Sequence, residues 1–553
     1  MRSDGRPQGR IAVLSRHLAS SKSTSDQELI TAEARAQTVP RPGKVQTAEE
    51  AVRGIPDDAT VTVGGFVGCG CPELLLQAVR QRFDASGQPR NMHLFNVATG
   101  GDGKGRGLDV LAAPGLVASL TYAWAGMSPK LLSLVRDHRL PAWNLPLGVV
   151  THMLRDVAAK RPGPVTTIGL GTFVDPRDKG GKAWPDQQDK VELVRLGGRE
   201  YLWYKVPPRI HVALLRGTTA DLDGNISVEH EPIYKDELVQ AMAAHNSGGV
   251  VIVQVERLVD RGSIPTRNVH IPGALVDKVV VAPPELHWQT FASPVCDGSL
   301  TGELRAPLSA LRPLPLDERK IIAHRAMLEV DRPNMLVNLG VGMPEGFAAM
   351  VNSHSHHNEW AGSCTMSTEA GMWGGVPAAG LRFGGAVNAT AQIPCASMMD
   401  VYQGGGIDLA CLGMAEVDAE GNVNVSRFTG RTPGCGGFID ISQTAKKVLF
   451  LGTFMSGGLK VSLADGKLQI LQEGRHRKFQ QRVLEKTFAS SSCKGRPVLY
   501  ITERAVFRFH DGEGLELIEI APGIDLERDV LQRMAFKPVM HNVKLMDPRI
   551  FVA

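Results

Sequence analysis

Three apolar runs without alternation mark the chain: VVIVQV at 250–255, KVVVA at 278–282 and KVLFLG at 447–452. A strand with one wet face alternates, whereas a continuous run suits a strand buried on both faces of a largely parallel, helix-covered sheet. Shorter patterns recur in pairs. Residues 60–73 read TVTVGGFVGCGCPE and residues 335–346 read MLVNLGVGMPEG. Each predicts a strand, a glycine-rich turn and a helix opened by Pro-Glu. Residues 219–228 (TADLDGNISV) and 416–425 (EVDAEGNVNV) repeat an Asp-containing turn that ends in Gly-Asn and enters a strand.

The spacing supports duplication. From Gly224 to Ile252 is 28 residues, and from Gly421 to Leu449 is again 28. The first motif pair is offset by 272 residues and the second by 197, so the first half carries about 75 extra residues between Pro72 and Gly224. Residues 301–316 hold three prolines and read as a linker, after which Asp317 is placed as an N-cap with Glu318 in the first turn of a helix to about Val330. The expected order is an extension over 1–45, an α/β domain over 46–300 with the insertion, the linker over 301–316, and a second α/β domain over 317–553.

Composition narrows the function classes. At 553 residues the chain exceeds what one core supports, and no stretch approaches the roughly 18 apolar residues of a membrane-spanning helix. The net charge of +4 lies wholly within residues 1–45, leaving a balanced body that disfavours a nucleic-acid binder. The eight cysteines form no CxxC pair, which points to a reducing, cytoplasmic setting; Cys69 and Cys71, flanking Gly70, read as small packing residues rather than a redox pair. The Arg- and Ser-rich extension has no secretory core. Its four acidic residues argue for a disordered segment, with a mitochondrial transit peptide as the alternative.

One segment suggests chemistry. In STEAGMWGGVPAAGLRFGG (367–385) a lone carboxylate, Glu369, sits among glycines that would let a large substrate and backbone N–H groups approach it. Covalent acyl chemistry is one use; a surface glutamate on a glycine-rich loop is the plain alternative. Cys435-Gly436-Gly437-Phe438 precedes a strand-like run and can offer N–H donors to an oxyanion. Gly404–Gly406 reads as a turn into a buried strand. His354, His356 and His357 with Glu359 match no metal-ligand spacing and read as a polar loop. Lys104 and Arg106 lie in a glycine loop that lacks the Walker A Ser or Thr, and no GxSxG, HExxH or dinucleotide-binding GxGxxG occurs.

Taken together, the paired halves and the glycine-framed glutamate resemble the family I coenzyme A transferases over roughly residues 45–550, in the acetate/propionate subgroup that fuses both halves in one chain. TIGLGTFVDPR, NLGVGMPEG, TEAGMWGGVPAAGLRFG, GGGIDLACLGMAEVDAEGNVNVSRF and YITERAVF carry the likeness. The resemblance implies two open α/β domains with largely parallel sheets and the active site between them. It implies Glu369 as the residue that becomes a glutamyl-CoA thioester and Gly437 as an oxyanion N–H donor. It also implies that Gly340, Val341, Gly342, Met343 and Pro344 line the CoA site, and that Asn424 contacts CoA. Acyl-CoA and short-chain carboxylates are the implied substrates, with CoA as substrate rather than cofactor, no other cofactor and no metal. A homo-oligomer, dimer or tetramer, is implied as well. An acyl-CoA hydrolase or a catalytically weakened CoA-binding protein on the same scaffold are the alternatives. Two positions depart from the family pattern: Leu147 stands in NLPLG where a glutamine donor is expected, and Trp373 stands where a smaller residue would leave a wider acyl pocket.

Overall fold

Two open sheets of matching strand order organise the chain, the first parallel throughout and the second parallel at its centre with antiparallel flanks. The computed structural model describes residues 43–307, 314–351, 358–493 and 495–551. Residues 1–42 of the extension, 308–313 of the linker segment, and His354, His356 and His357 lie outside the described residues.

The first sheet comprises β1 (Thr60–Val63), β2 (Met92–Ala98), β3 (Val117–Trp124), β4 (Ala142–Asn144), β5 (Val212–Arg216), β6 (Val250–Val255) and β7 (Lys278–Val281), in the order β7-β6-β5-β1-β2-β3-β4. All six pairings are parallel. The second comprises β8 (Leu336–Leu339), β9 (Thr365–Ser367), β10 (Met372–Trp373), β11 (Ala391–Gln392), β12 (Leu409–Gly413), β13 (Lys447–Leu451), β14 (Val498–Ile501), β15 (Ala505–His510), β16 (Gly514–Ile520) and β17 (Lys544–Leu545). Read from β14, its order β14-β13-β12-β8-β9-β10-β11 follows that of the first sheet, with parallel pairing kept from β14 to β9 and antiparallel pairing of β9, β10 and β11 where the first sheet is parallel; β15, β16 and β17 extend it beyond β14. The register repeats too. Ile252 lies opposite Leu214 in the first sheet, and Leu449 opposite Cys411 in the second, each residue 197 positions on.

Local chemistry explains the repeat. In the first half the Asp221 carboxylate accepts from the backbone N–H groups of Asp223 and Asn225 and from the Asn225 amide. Asp418 does the same for Glu420 and Asn422. Gly224 and Gly421 complete the two turns at positive φ. Pro-Glu opens both α1 (Glu73–Ser86) and the short helix Glu345–Val351, but the glycine-rich turn before it is longer by four residues in the first half, 64–71 against 340–343. Part of the extra length of the first half is a small antiparallel sheet of Val165–Thr166, Val191–Leu196 and Arg199–Tyr204. Asp317 caps its helix by accepting from the N–H groups of Arg319 and Lys320, and the helix stops at Met327, short of Val330.

One element differs in kind from its expectation. The run after Gly437, read as a strand, is a helix, Phe438–Thr444. Phe438, Ile439, Asp440 and Ile441 are all buried, so burial on every side erased the polar positions that would have shown a helical period. This helix packs with α2 (Leu147–Ala158) and with Cys395–Gln403, while α2 also packs on Glu237–Asn246. Four short helices, two from each half, thus join the sheets. No helix among the described residues is long and apolar enough to cross a membrane.

Candidate active site

A cavity of about 780 Å³, open at its mouth, lies at the carboxyl ends of strands from both sheets. Crevices beyond the carboxyl ends of parallel strands are where open α/β folds bind ligands. The first half contributes Phe66, Trp124 and Leu147 to the wall; the second contributes Glu369, Phe383 and Gly437.

Glu369 occupies the turn between β9 and β10. The Gly371 N–H donates to the Thr368 carbonyl at 3.0 Å and the Thr368 N–H to the Met372 carbonyl at 3.2 Å, so backbone alone presents the carboxylate. Gly371 has φ +105° and lies against the Ile393 carbonyl, which a Cβ would meet at 1.9 Å. Only glycine fits there.

Burial pushes the Glu369 carboxyl up to about 7, the Asp440 carboxyl nearby adds to the rise, and the Gly437 N–H, hydrogen-bonded to Glu369, opposes it. Asp440 is itself fully buried and raised to about 7 by burial, while accepting from the Gly148 N–H at 3.1 Å and the Gln403 amide at 2.8 Å. A carboxylate poised near neutrality beside an N–H donor can be both ionised enough to attack and held in place.

The first half fixes the turn that carries Gly437. The Leu147 N–H donates to the Gly436 carbonyl at 2.9 Å, the Gly436 N–H to Ala123 at 2.9 Å, and the Cys435 N–H to the Asn144 side chain at 3.0 Å. The longer glycine turn of the first half reaches across in the same way. Phe66 stacks on Phe383 with ring centroids 6.4 Å apart, and the Cys69 thiol faces the Phe383 carbonyl at 3.7 Å. Val67, on the cavity wall, has φ +55°, a conformation rare for a β-branched residue. Buried cations hold this loop: Lys235 donates to the Gly70 carbonyl at 3.2 Å and Arg216 to the Cys71 carbonyl at 3.4 Å. Glu231 pairs with Arg216 at 2.8 Å and with Lys235 at 3.5 Å. Burial holds the Cys69 thiol up at about 12 and raises that of Cys71 as well, so both sulfurs stay protonated and pack.

Of the residues singled out in the sequence, Glu369, Gly437, Gly340 and Val341 meet at this cavity, as does Leu147. Gly342, Met343 and Pro344 lead instead into Glu345–Val351, and the Glu345 carboxylate accepts from the Gly342 N–H. Asn424 is fully buried and its amide is spent on its own turn, donating to Glu416 and Arg427 and accepting from the Ser426 N–H; its neighbour Val425 reaches the wall. Trp373 pairs with Ser367 in the hairpin, and the indole on the wall is that of Trp124. Gly404 ends the helix Cys395–Gln403, as a turn into β12. Arg106 lies over the rings of Trp288 and Phe291 at 4.3 and 4.6 Å, a structural contact. Among the described residues no group of His, Cys, Asp and Glu side chains could hold a metal ion. Sequence reasoning missed Asp440 and Phe66; a lone acid inside the apolar run FIDI was the available signal for the first.

Residues 45–282 match the Coenzyme A transferase family. The chain is 44% identical over 518 residues to caffeate CoA-transferase of Acetobacterium woodii, covering 92% of this chain and 97% of that protein. It is 41% identical over 515 residues to acetate CoA-transferase YdiF of Escherichia coli O157:H7, covering 92% and 95%. The solved structure of the acyl-CoA transferase YdiF from Escherichia coli O157:H7, a thioester complex with CoA, matches with a TM-score of 0.86 at 39% identity, covering 93% of this chain and 98% of that one.

Proposed function

The chain belongs to the coenzyme A transferase family, and on that premise we propose that it moves CoA between a short-chain acyl-CoA and a carboxylate, of the acetate/propionate type, through a thioester on Glu369. The observation that carries this reading is the apposition of Glu369 and Gly437, whose Cβ, were it present, would lie 2.2 Å from a Glu369 carboxylate oxygen. The Glu369 carboxylate attacks the thioester carbonyl of acyl-CoA; the C–S bond breaks, giving an acyl-glutamyl anhydride and CoA thiolate. The thiolate attacks the glutamyl carbonyl, the anhydride C–O bond breaks, and the first carboxylate leaves with its electron pair. An acceptor carboxylate then runs the two steps in reverse. Each addition passes through an oxyanion that the Gly437 N–H is positioned to receive. No step needs a metal or redox cofactor, and CoA enters as a substrate. Eight free cysteines suit a reducing compartment, so the proposed setting is the cytoplasm.

The test is a panel of acyl-CoA donors and short carboxylates with products read by mass spectrometry. New acyl-CoA formed only when an acceptor is present supports transfer; equal release of free CoA without any acceptor supports the hydrolase alternative instead.

Two further results are expected. First, with Glu369 raised to about 7, the rate of thioester formation falls about tenfold per pH unit below that range, because only the carboxylate attacks. Asp440→Asn removes a like charge and moves that midpoint down; a pH profile that does not move refutes the coupling. Stability runs the opposite way: these acids bind protons more tightly folded than unfolded, so stability declines as pH rises between about 4 and about 7, less so in the Asn variant. Second, Leu147 lines the cavity with no hydrogen-bond donor on its side chain. Leu147→Gln is expected to raise the transfer rate roughly tenfold, part of what one oxyanion donor is worth, with little change in acyl-CoA affinity. A lower Tm with no gain in rate would make Leu147 a packing residue only.

A further inference from the structure

At the other end of the first sheet, a second cavity of about 1060 Å³ opens around the amino ends of β1, β2 and β3, lined by Thr60, His93 and Ser119 among others. Lys190 projects here. Its ammonium donates to the Thr121 hydroxyl at 2.6 Å and sits 3.7 Å from the centroid of the Trp143 ring. Its acidic neighbours in sequence are engaged elsewhere: Asp189, on the cavity rim, pairs with Lys182 at 2.7 Å, and Glu192 pairs with Lys205. No ion pair to Lys190 occurs among the described residues, and burial alone pulls its pKa down to about 7. His93 shares a hydrogen bond of 2.8 Å with Ser119, and burial, then the Lys190 charge, lowers its pKa. The other wall is apolar, with Trp143, Phe95 and Leu94.

An ammonium sunk in an apolar wall with only a hydroxyl and a ring for company is destabilising unless an anion joins it. Lys190 and the two hydroxyls offer such an anion a charge and donors, and the rings and aliphatic carbons beside them offer a dry surface to whatever it carries. We propose that this cavity binds a small carboxylate with an apolar tail, its carboxylate on Lys190, Ser119 and Thr121 and its tail against Trp143 and Phe95. The site is separate from Glu369 and does not depend on the mechanism given above. β3 spans the two, with Ser119 and Thr121 at one cavity and Trp124 at the other.

The experiment is thermal unfolding of the full chain carrying Glu369→Ala, with and without Lys190→Met, in butyrate, in inorganic phosphate and in neither. Butyrate bound at the catalytic cavity affects both proteins alike and cancels. Without anion, Lys190→Met is expected to raise Tm, since it removes a half-buried charge that has no ion pair among the described residues while keeping the volume. Saturating butyrate is expected to raise the Tm of the Lys190 protein by about 2 °C or more beyond its effect on the Met variant, and Lys190→Arg is expected to retain the response. An equal butyrate response in the Lys190 and Met proteins overturns the site. A phosphate response as large as that of butyrate overturns the apolar-tail assignment.

Discussion

Glu369→Gln is expected to lose CoA transfer by something on the order of 10⁴- to 10⁶-fold, the scale on which removal of a covalent nucleophile is felt. The substitution keeps the shape of the side chain and removes the oxygen nucleophile. Nothing in the turn depends on the carboxylate, because Thr368, Gly371 and Met372 close the turn through backbone groups. Folding and acyl-CoA binding should therefore persist, which separates a chemical defect from a structural one. Mixed with acyl-CoA, the wild-type chain should gain the mass of CoA less one water, as a glutamate oxygen leaves on the released carboxylate. Borohydride should then convert the thioester to an alcohol on the peptide that contains Glu369. The Gln variant should show neither change. Exchange within about a hundredfold of wild type, or an adduct on another residue, would place the nucleophile elsewhere.

The duplicated architecture was legible because it is written in local chemistry. Turn residues such as Asp221 and Asp418 repeat with the same side-chain hydrogen bonds, and β6 and β13 are near-continuous apolar runs because they lie inside their sheets; β7, read as buried on both faces, is instead an edge strand that leaves Val281 exposed. Glu369 was legible for a similar reason: a carboxylate whose turn needs Gly371 leaves a visible glycine. What was not legible depends on contact between the halves. The N–H of Leu147 meets Gly436, and Phe66 meets Phe383, across separations of hundreds of residues. No period or spacing encodes which residue lies opposite. Asp440 was hidden twice, by the reading of its helix as a strand and by the burial of every neighbour that would have corrected it. Which face of the two-residue strand Met372–Trp373 borders the cavity was not legible either, and the wall carries Trp124 rather than Trp373.

Gly437→Ala is the sharper probe of how the site is assembled. Gly437 has φ −82° and ψ 4°, which alanine adopts without strain, and as the residue capping Phe438–Thr444 it needs no left-handed turn. The only severe obstacle to a methyl group is Glu369 itself: the new carbon would lie 2.2 Å from a carboxylate oxygen, against 3.3 Å from Ile441. A flexible carboxylate yields before a packed helix does, so the side chain should swing away from the N–H that holds it. The expected result is a loss in kcat of about 100- to 1,000-fold, the cost of a misplaced oxyanion donor, with Tm within about 2 °C of wild type. The acid limb of the pH profile should also move up, because the Gly437 N–H opposes the rise in the Glu369 pKa and that opposition is lost. Gly436→Ala is the contrasting case. Gly436 has φ +54°, and its nearest neighbours would stand 3.8 Å or more from the added carbon. It should lose stability through backbone strain and keep most of its activity. If Gly437→Ala turns over within about threefold of wild type, or if its defect is a collapse of Tm matched by Gly436→Ala, Gly437 serves the fold and the oxyanion is met by another group.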